Sequence, residues 1–295
     1  MATARPQIST TVRIVVQLAE RLAPEWTEAK AFAQWGKPVR TRAKWGDELK
    51  TARRFHLEAA SRELAAWEWN AQGARGTAVL VHGWSGNASQ LGSFVLPLVE
   101  RGFHVVSVDL PAHGETAGNF ATVPLFADVV AGLLHRLRPS VLIAHSLGAT
   151  GSALAMRHGP APSRVALLAP PTQLPPYLRH FTDFVGLSEA MHGRLLKRVE
   201  AIVQGPVETL DLRRHAPGWG NVASLLVHDV SDVVVPVTSS RELRAVWPGA
   251  QLVETEGLSH DRIRRDRDVV ARVVSFVTGQ RMVNAPEAVG ELVPA

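Results

Sequence analysis

The chain has 295 residues, 46% hydrophobic and 20% charged, with 12 histidines and no cysteine. That size and balance describe a globular protein with a sizeable buried core, and the missing thiol excludes disulfides, cysteine nucleophiles, zinc–thiolate sites and iron–sulfur clusters. The net charge of +5 belongs to the start: residues 1–54 hold eleven Lys and Arg against five Asp and Glu, and the remainder is nearly neutral.

Those basic residues are scattered among Glu25, Glu28, Asp47 and Glu48 without any nucleic-acid-binding signature. They read as a solvated face, and no nucleic-acid partner is expected. No run approaches the roughly 18 apolar residues of a membrane span. The opening residues lack the apolar core of a secretory signal. They are Arg-containing and acid-poor, which also fits an organellar import sequence, but a cytoplasmic protein beginning with an amphipathic helix is the simpler reading.

Helical apolar spacing runs from 11 to 34, broken near Pro24 and ended around Gly36-Lys37-Pro38. Residues 52–70 alternate loosely and predict an antiparallel hairpin. From Thr77 the pattern changes. The run "TAVLVHG" is short, apolar and bounded by glycines, as in a strand buried on both faces. A helix pattern follows in "LGSFVLPLVERG", then a strand in "FHVVSVDL", a helix over 121–138, a strand in "VLIAH" and a helix from Leu147 to about His158. Three further strands lie in "RVALLAP", "ASLLVHD" and "AQLVETEG", with helices near 238–247 and 264–278. Strands alternating with helices predict a mostly parallel sheet. Between Ala169 and Asn221 no good strand appears, and an inserted helical cap is more economical than so long a loop. The expected division is an N-terminal helical extension (1–51), an α/β core (52–169 and 222–280), a helical cap (170–221) and a C-terminal tail (281–295).

Ligands of such sheets bind beyond the carboxyl ends of the strands. In "SVLIAHSLGATGSAL" a buried strand ends on Ser146, with Ala144 two residues before and Gly148 two after. Small neighbours are what a sharp strand-to-helix turn requires, and such a turn lifts a serine hydroxyl above the sheet. The hydroxyl needs a base to become a nucleophile. His260, in "TEGLSHDRI" after the last strand, is the candidate. Asp232, in "VHDVSDVVVP", is the candidate to orient that imidazole, with Asp229 its rival. The N–H groups of Trp84 and Leu147 are candidates to hold a developing oxyanion. His82, His113 and Asp109 read as loop-shaping residues, and His145 as a packing residue pointing away from the reacting group.

The segments Ala-His-Ser-Leu-Gly, His-Gly-Trp, Asp-Leu-Pro-Ala-His-Gly, Asp-Val-Val-Val-Pro and Gly-Leu-Ser-His, in this order, resemble the α/β-hydrolase superfamily over roughly residues 52–279. Within it the chain resembles the serine hydrolases grouped with monoacylglycerol lipases and serine aminopeptidases. The resemblance implies an α/β-hydrolase fold: a mostly parallel eight-stranded sheet with an antiparallel second strand, flanked by helices, and a cap after the sixth strand. It also implies a Ser146–His260–Asp232 triad with Trp84 and Leu147 as oxyanion donors and no cofactor. Ala144 in place of the usual glycine and the extra N-terminal segment depart from the family pattern. The expected function is hydrolysis of small-molecule carboxylic esters through an acyl-enzyme. Amide, thioester or carbon–carbon bond hydrolysis on the same triad is the alternative, as is a non-catalytic binding protein on this scaffold. A homo-oligomer is compatible with the sequence.

Overall fold

The computed structural model describes residues 9–72, 75–220 and 222–279; the expected tail at 281–295 lies outside the described residues. Helix α1 (Thr10–Leu22) starts where Ser9 Oγ accepts the Val12 N–H, and Pro24 opens α2 (Pro24–Trp35), a first-turn position where a missing N–H costs nothing. The hairpin β1 (Arg53–Ala59) and β2 (Arg62–Trp69) turns on Ala60 and Ser61, both at positive φ, as a two-residue turn between twisted strands demands.

The alternating part then runs β3 (Thr77–Val81), α3 (Val95–Val99), β4 (His104–Val108), α4 (Val123–Leu137), β5 (Val141–His145), α5 (Ser146–Ala155) and β6 (Arg164–Leu168). After α6 (Pro175–Val185), α7 (Glu189–Val203) and the short α8 (Leu212–His215) come β7 (Ala223–Asp229), α9 (Thr238–Val246), β8 (Ala250–Thr255), α10 (Ser259–Arg262) and α11 (Arg267–Thr278). One local difference from the sequence reading has a steric cause. The helix expected from Leu91 is a 3-10 segment over Ala88–Phe94 that becomes α-helical only at Val95, because Pro97 is tolerated in a first turn but not deeper. Pro175 and Pro176 likewise sit in the first turn of α6.

The eight strands form one sheet in the order β1-β2-β4-β3-β5-β6-β7-β8. β2 runs antiparallel to both neighbours and the rest are parallel. Alternate strand residues face opposite layers. Val79, Val81, Leu142 and Ala144 pack with Phe126, Val130 and Leu134 on one side, and Ala78, Leu80 and Ile143 with Phe94, Leu98, Val270 and Val274 on the other. Because β4 lies on one side of β3 and β5 on the other, the connections diverge at β3 and β5. A crevice opens at such a divergence, at the carboxyl ends of the two strands.

The N-terminal segment packs on the rest of the chain. Phe32 and Ala31 of α2 join Leu178, Leu195, Val199 and Val207 of the cap region in a separate apolar cluster. The Phe120 ring lies 5.3 Å from that of Phe32, and a side chain at Gly36 would collide with it. Beyond Gly36 the chain is held as a strap: Arg40 donates to the carbonyls of Gly114, Thr116 and Gly118. Trp45 packs edge-on to Trp69 at 4.8 Å.

Candidate active site

The turn after β5 is the sharpest feature of the site. His145 is extended, Ser146 has φ of 53°, and the helix begins at once. A left-handed serine is strained by roughly 1 kcal/mol or more, so its neighbours must leave room. A side chain at Gly148 would run into the carbonyl of His82. One at Gly83 would come within 2.9 Å of the Ser146 Cβ. Ala144 stands at the position where the family resemblance implies glycine, with its methyl wholly buried in the core below the turn.

Loops from two other strand ends converge on Ser146. His260 Nε2 lies 3.0 Å from Ser146 Oγ, and its Nδ1 lies 2.7 Å from Asp232 Oδ2. Residues 114 positions apart in the chain thus share one hydrogen-bonded line. The Asp232 side chain is fully buried, and its Oδ1 accepts the N–H groups of Val234 and Val235 at 2.8 and 2.9 Å. Burial alone would raise this carboxyl's pKa. Hydrogen bonds from His228, from His260 and from the Val235 N–H outweigh burial and hold it below the usual carboxylate range.

The rival carboxylate, Asp229, reaches a different set of partners. It accepts the Ser231 N–H at 3.0 Å, the Leu258 N–H at 2.9 Å and the Thr255 hydroxyl at 2.8 Å. It therefore ties the loop carrying Asp232 to the loop carrying His260. His145 does not simply point away. Its Nε2 lies 3.0 Å from the His260 carbonyl and its ring centroid 4.7 Å from that of His260, so it braces the imidazole from behind. Burial, reinforced by the nearby His260, lowers its pKa to about 3, leaving it a neutral donor at that carbonyl.

Leu147 follows Ser146 in the first turn of α5, where a backbone N–H has no intrahelical acceptor. Trp84 follows β3, and both residues border the same cavity as Ser146. The Trp84 turn is fixed by its neighbours: Ser85 has φ of 56° and donates its N–H to His113 Nε2 at 3.0 Å. Burial lowers the His113 pKa. His82 spans the turn from below, with Nδ1 2.7 Å from the Gly83 carbonyl and Nε2 accepting the Leu110 N–H at 2.9 Å. Burial and the adjacent His113 lower its pKa to about 3. Asp109 receives the Ala88 and Glu115 N–H groups at 2.6 and 2.7 Å, yet burial still raises its pKa to about 6. Among the described residues no group of three or more His, Asp or Glu has the geometry to hold a metal ion.

A family model described as the alpha/beta hydrolase family matches residues 78–273, a span that includes all five candidate site residues. The chain belongs to this family. No curated protein matches it in sequence. Among solved structures it is similar to the Pyrococcus furiosus esterase Pf2001, at 18% identity over 83% of this chain and 97% of the other, with a TM-score of 0.60. It is similar also to the esterase EaEST of Exiguobacterium antarcticum, at 17% identity over 76% and 99% with a TM-score of 0.58. A membrane phospholipase A described as a bacterial virulence factor matches at 18% over 90% and 96%, with a TM-score of 0.57. At these identities the likeness is one of fold.

In this alpha/beta hydrolase, Ser146 opens into a cavity of about 440 Å³. It is lined by Trp84 and Leu147, by Tyr177, Phe181 and Phe184 of α6 and by Leu196, Val199 and Ile202 of α7. Trp35, from α2, completes the wall. Burial, with Asp232 adding to it, raises the Tyr177 pKa and keeps its hydroxyl protonated. Sequence reasoning did not find Trp35 as a wall residue, because helical spacing alone does not say which surface a helix will meet. Nor did it single out His228, which sits with Nε2 2.9 Å from the Val235 carbonyl and Nδ1 2.7 Å from the Ser240 hydroxyl. The signal was present only as a histidine inside an otherwise apolar strand.

Proposed function

We propose that this hydrolase cleaves carboxylic esters of apolar acids by way of an acyl-enzyme. The observation that carries the reading is the hydrogen-bonded array of Asp232, His260 and Ser146, with Ser146 lining an apolar cavity. Ser146 Oγ attacks the ester carbonyl while His260 Nε2 takes its proton. Asp232 holds the ring by Nδ1–H and stabilises the imidazolium. The N–H groups of Trp84 and Leu147 receive the oxyanion, each such donor being worth about 3 kcal/mol. As the C–O bond breaks, His260 returns the proton to the departing alcohol. Water then attacks the acyl-serine with His260 again as base, releasing the acid and restoring Ser146.

The apolar wall favours an acyl chain. No Asp or Glu lines the cavity among the described residues, so it offers no carboxylate to pair with the ammonium group of an aminoacyl amide. In this reading residues 52–169 and 222–280 carry the chemistry, while the cap (170–221) forms the acyl wall together with Trp35 from the extension (1–51).

Intact-mass analysis after fluorophosphonate treatment tests the proposal, with His260→Ala as control. Wild type should gain one adduct at Ser146 and the control almost none. Folded wild-type protein without an adduct would show that Ser146 is not a nucleophile. A p-nitrophenyl ester chain-length series then reads the wall; turnover of aminoacyl amides with negligible ester hydrolysis would move the assignment to peptidase chemistry.

A further inference from the structure

The outward side of α1 is apolar. Ile14, Val15, Leu18 and Leu22 are 51%, 59%, 49% and 83% exposed, and at helical spacing they form one stripe along the helix. Val16, Ala19 and Glu20 lie towards the other side and are half-buried. Glu20 fixes the helix in this orientation, since its Oε1 accepts the Ser188 N–H at 2.9 Å just before α7. The stripe therefore faces away from the body of the protein and is left uncovered by the described residues.

The borders of the stripe narrow the choice of occupant. Arg13 and Arg21 are exposed and lie on the polar side of the helix. Just past its end Trp26 is 59% exposed, with Lys30 Nζ 5.7 Å from its ring centroid. A helix with an aliphatic stripe, arginines on the polar side and an adjoining exposed tryptophan has the composition of one lying in the plane of a lipid–water interface. Its cations complement anionic headgroups, as does the positive excess of residues 1–54.

The location adds a second reason. Ser188, to which Glu20 is bound, follows the turn after α6, and Phe184 near the end of α6 is 45% exposed while lining the cavity. Ile202 and Val234 line the same cavity and are 41% and 53% exposed. The α6–α7 turn that receives Glu20 follows Phe184 by a few residues and so brings this part of the cavity lip close to α1. We propose that α1 is an interfacial anchor that docks the protein on an anionic lipid surface with the cavity lip beside it. The docking does not depend on the chemistry of Ser146.

The test is co-sedimentation of the full chain, as Ser146→Ala so that vesicles stay intact, with phosphatidylcholine vesicles with and without phosphatidylglycerol. The protein should bind the mixed vesicles, and less so at high salt. Val15→Glu/Leu18→Glu/Leu22→Glu should lose on the order of tenfold or more of that binding, while the same triple change in the Ser146 protein leaves hydrolysis of a short soluble ester unchanged. Should the triple change also reduce helix content by circular dichroism, Arg13→Glu/Arg21→Glu replaces it, and this variant should lose the preference for anionic vesicles. Absence of binding to phosphatidylglycerol vesicles overturns the proposal, as does undiminished binding by the altered helix. A dimer in sedimentation velocity that the triple change disrupts, without vesicle binding, would overturn it in favour of a second copy on the stripe. Fluorophosphonate labelling is read on the Ser146 protein without vesicles, so the anchor and the ester reading can fail separately.

Discussion

At the rim of the sheet, Ser146, Asp232 and His260 are held by polar contacts of defined length: a strained turn, paired N–H donors on Asp232, and a carbonyl brace on His260. In the wall above, Trp35, Phe181 and Val199 come from α2, α6 and α7 and contribute apolar surface. The rim depends on position, and moving one atom by an ångström breaks a proton path. The wall depends on volume, and its residues can be exchanged for others of similar size at modest cost. Changes in the two regions should therefore differ in kind as well as in size.

The largest effect should come from Ser146→Ala, which is expected to reduce ester kcat by a factor on the order of 10⁶ while thermal unfolding stays close to wild type. A residual rate within tenfold of wild type would show that the rim does not carry the chemistry. Asp232→Asn is expected to cost about 10⁴ in kcat, by allowing the wrong imidazole tautomer. The same variant reports on stability. Because the folded carboxyl's pKa is held below its unfolded value of about 3.9, the carboxylate's contribution is complete above that pH and is lost as pH falls through the folded pKa. The unfolding-temperature gap between wild type and Asp232→Asn should thus be wide at neutral pH and close below about pH 4. A gap that widened in acid would contradict the hydrogen-bonding described for this group.

In the wall the signature should be selectivity. Trp35→Ala is expected to lower kcat/KM for long-chain p-nitrophenyl esters on the order of tenfold, with the acetate ester changed by no more than about twofold. Equal losses on both would mean that Trp35 acts on the rim. The smallest effect belongs to the ion pairs that join extension to cap. Glu28, bonded to Arg194 and 3.5 Å from Arg198, faces two half-exposed arginines, so Glu28→Gln should cost about 1 kcal/mol or less in denaturant unfolding.

The same contrast explains what could be read in advance. The strand-end motifs were legible because each has a local steric or chemical reason. Only small residues fit at 144 and 148, and a histidine after the last strand is placed to meet a serine after β5. The choice of Asp232 over Asp229 was legible only as a preference. Asp229 ends β7 and Asp232 follows it, and it is the fold of the loop that turns Asp232 to His260 and Asp229 to Leu258 and Thr255. His145 illustrates the limit from the other side: its neighbourhood in sequence is the turn at Ser146, but its partner is the His260 carbonyl.

The sequence by itself determined the order of strands and helices and the sharp turn at Ser146, and it offered the residues proposed to react, because those depend on backbone sterics and on side-chain chemistry within a few residues. Only the tertiary structure decided that Trp35 would help wall the cavity, that Asp229 would tie two loops together, and that α1 would turn its stripe outward. Those outcomes depend on which apolar surfaces meet once the chain collapses. Burial is non-directional, so a helix's own pattern says that it has a face to cover and leaves the partner to the rest of the fold.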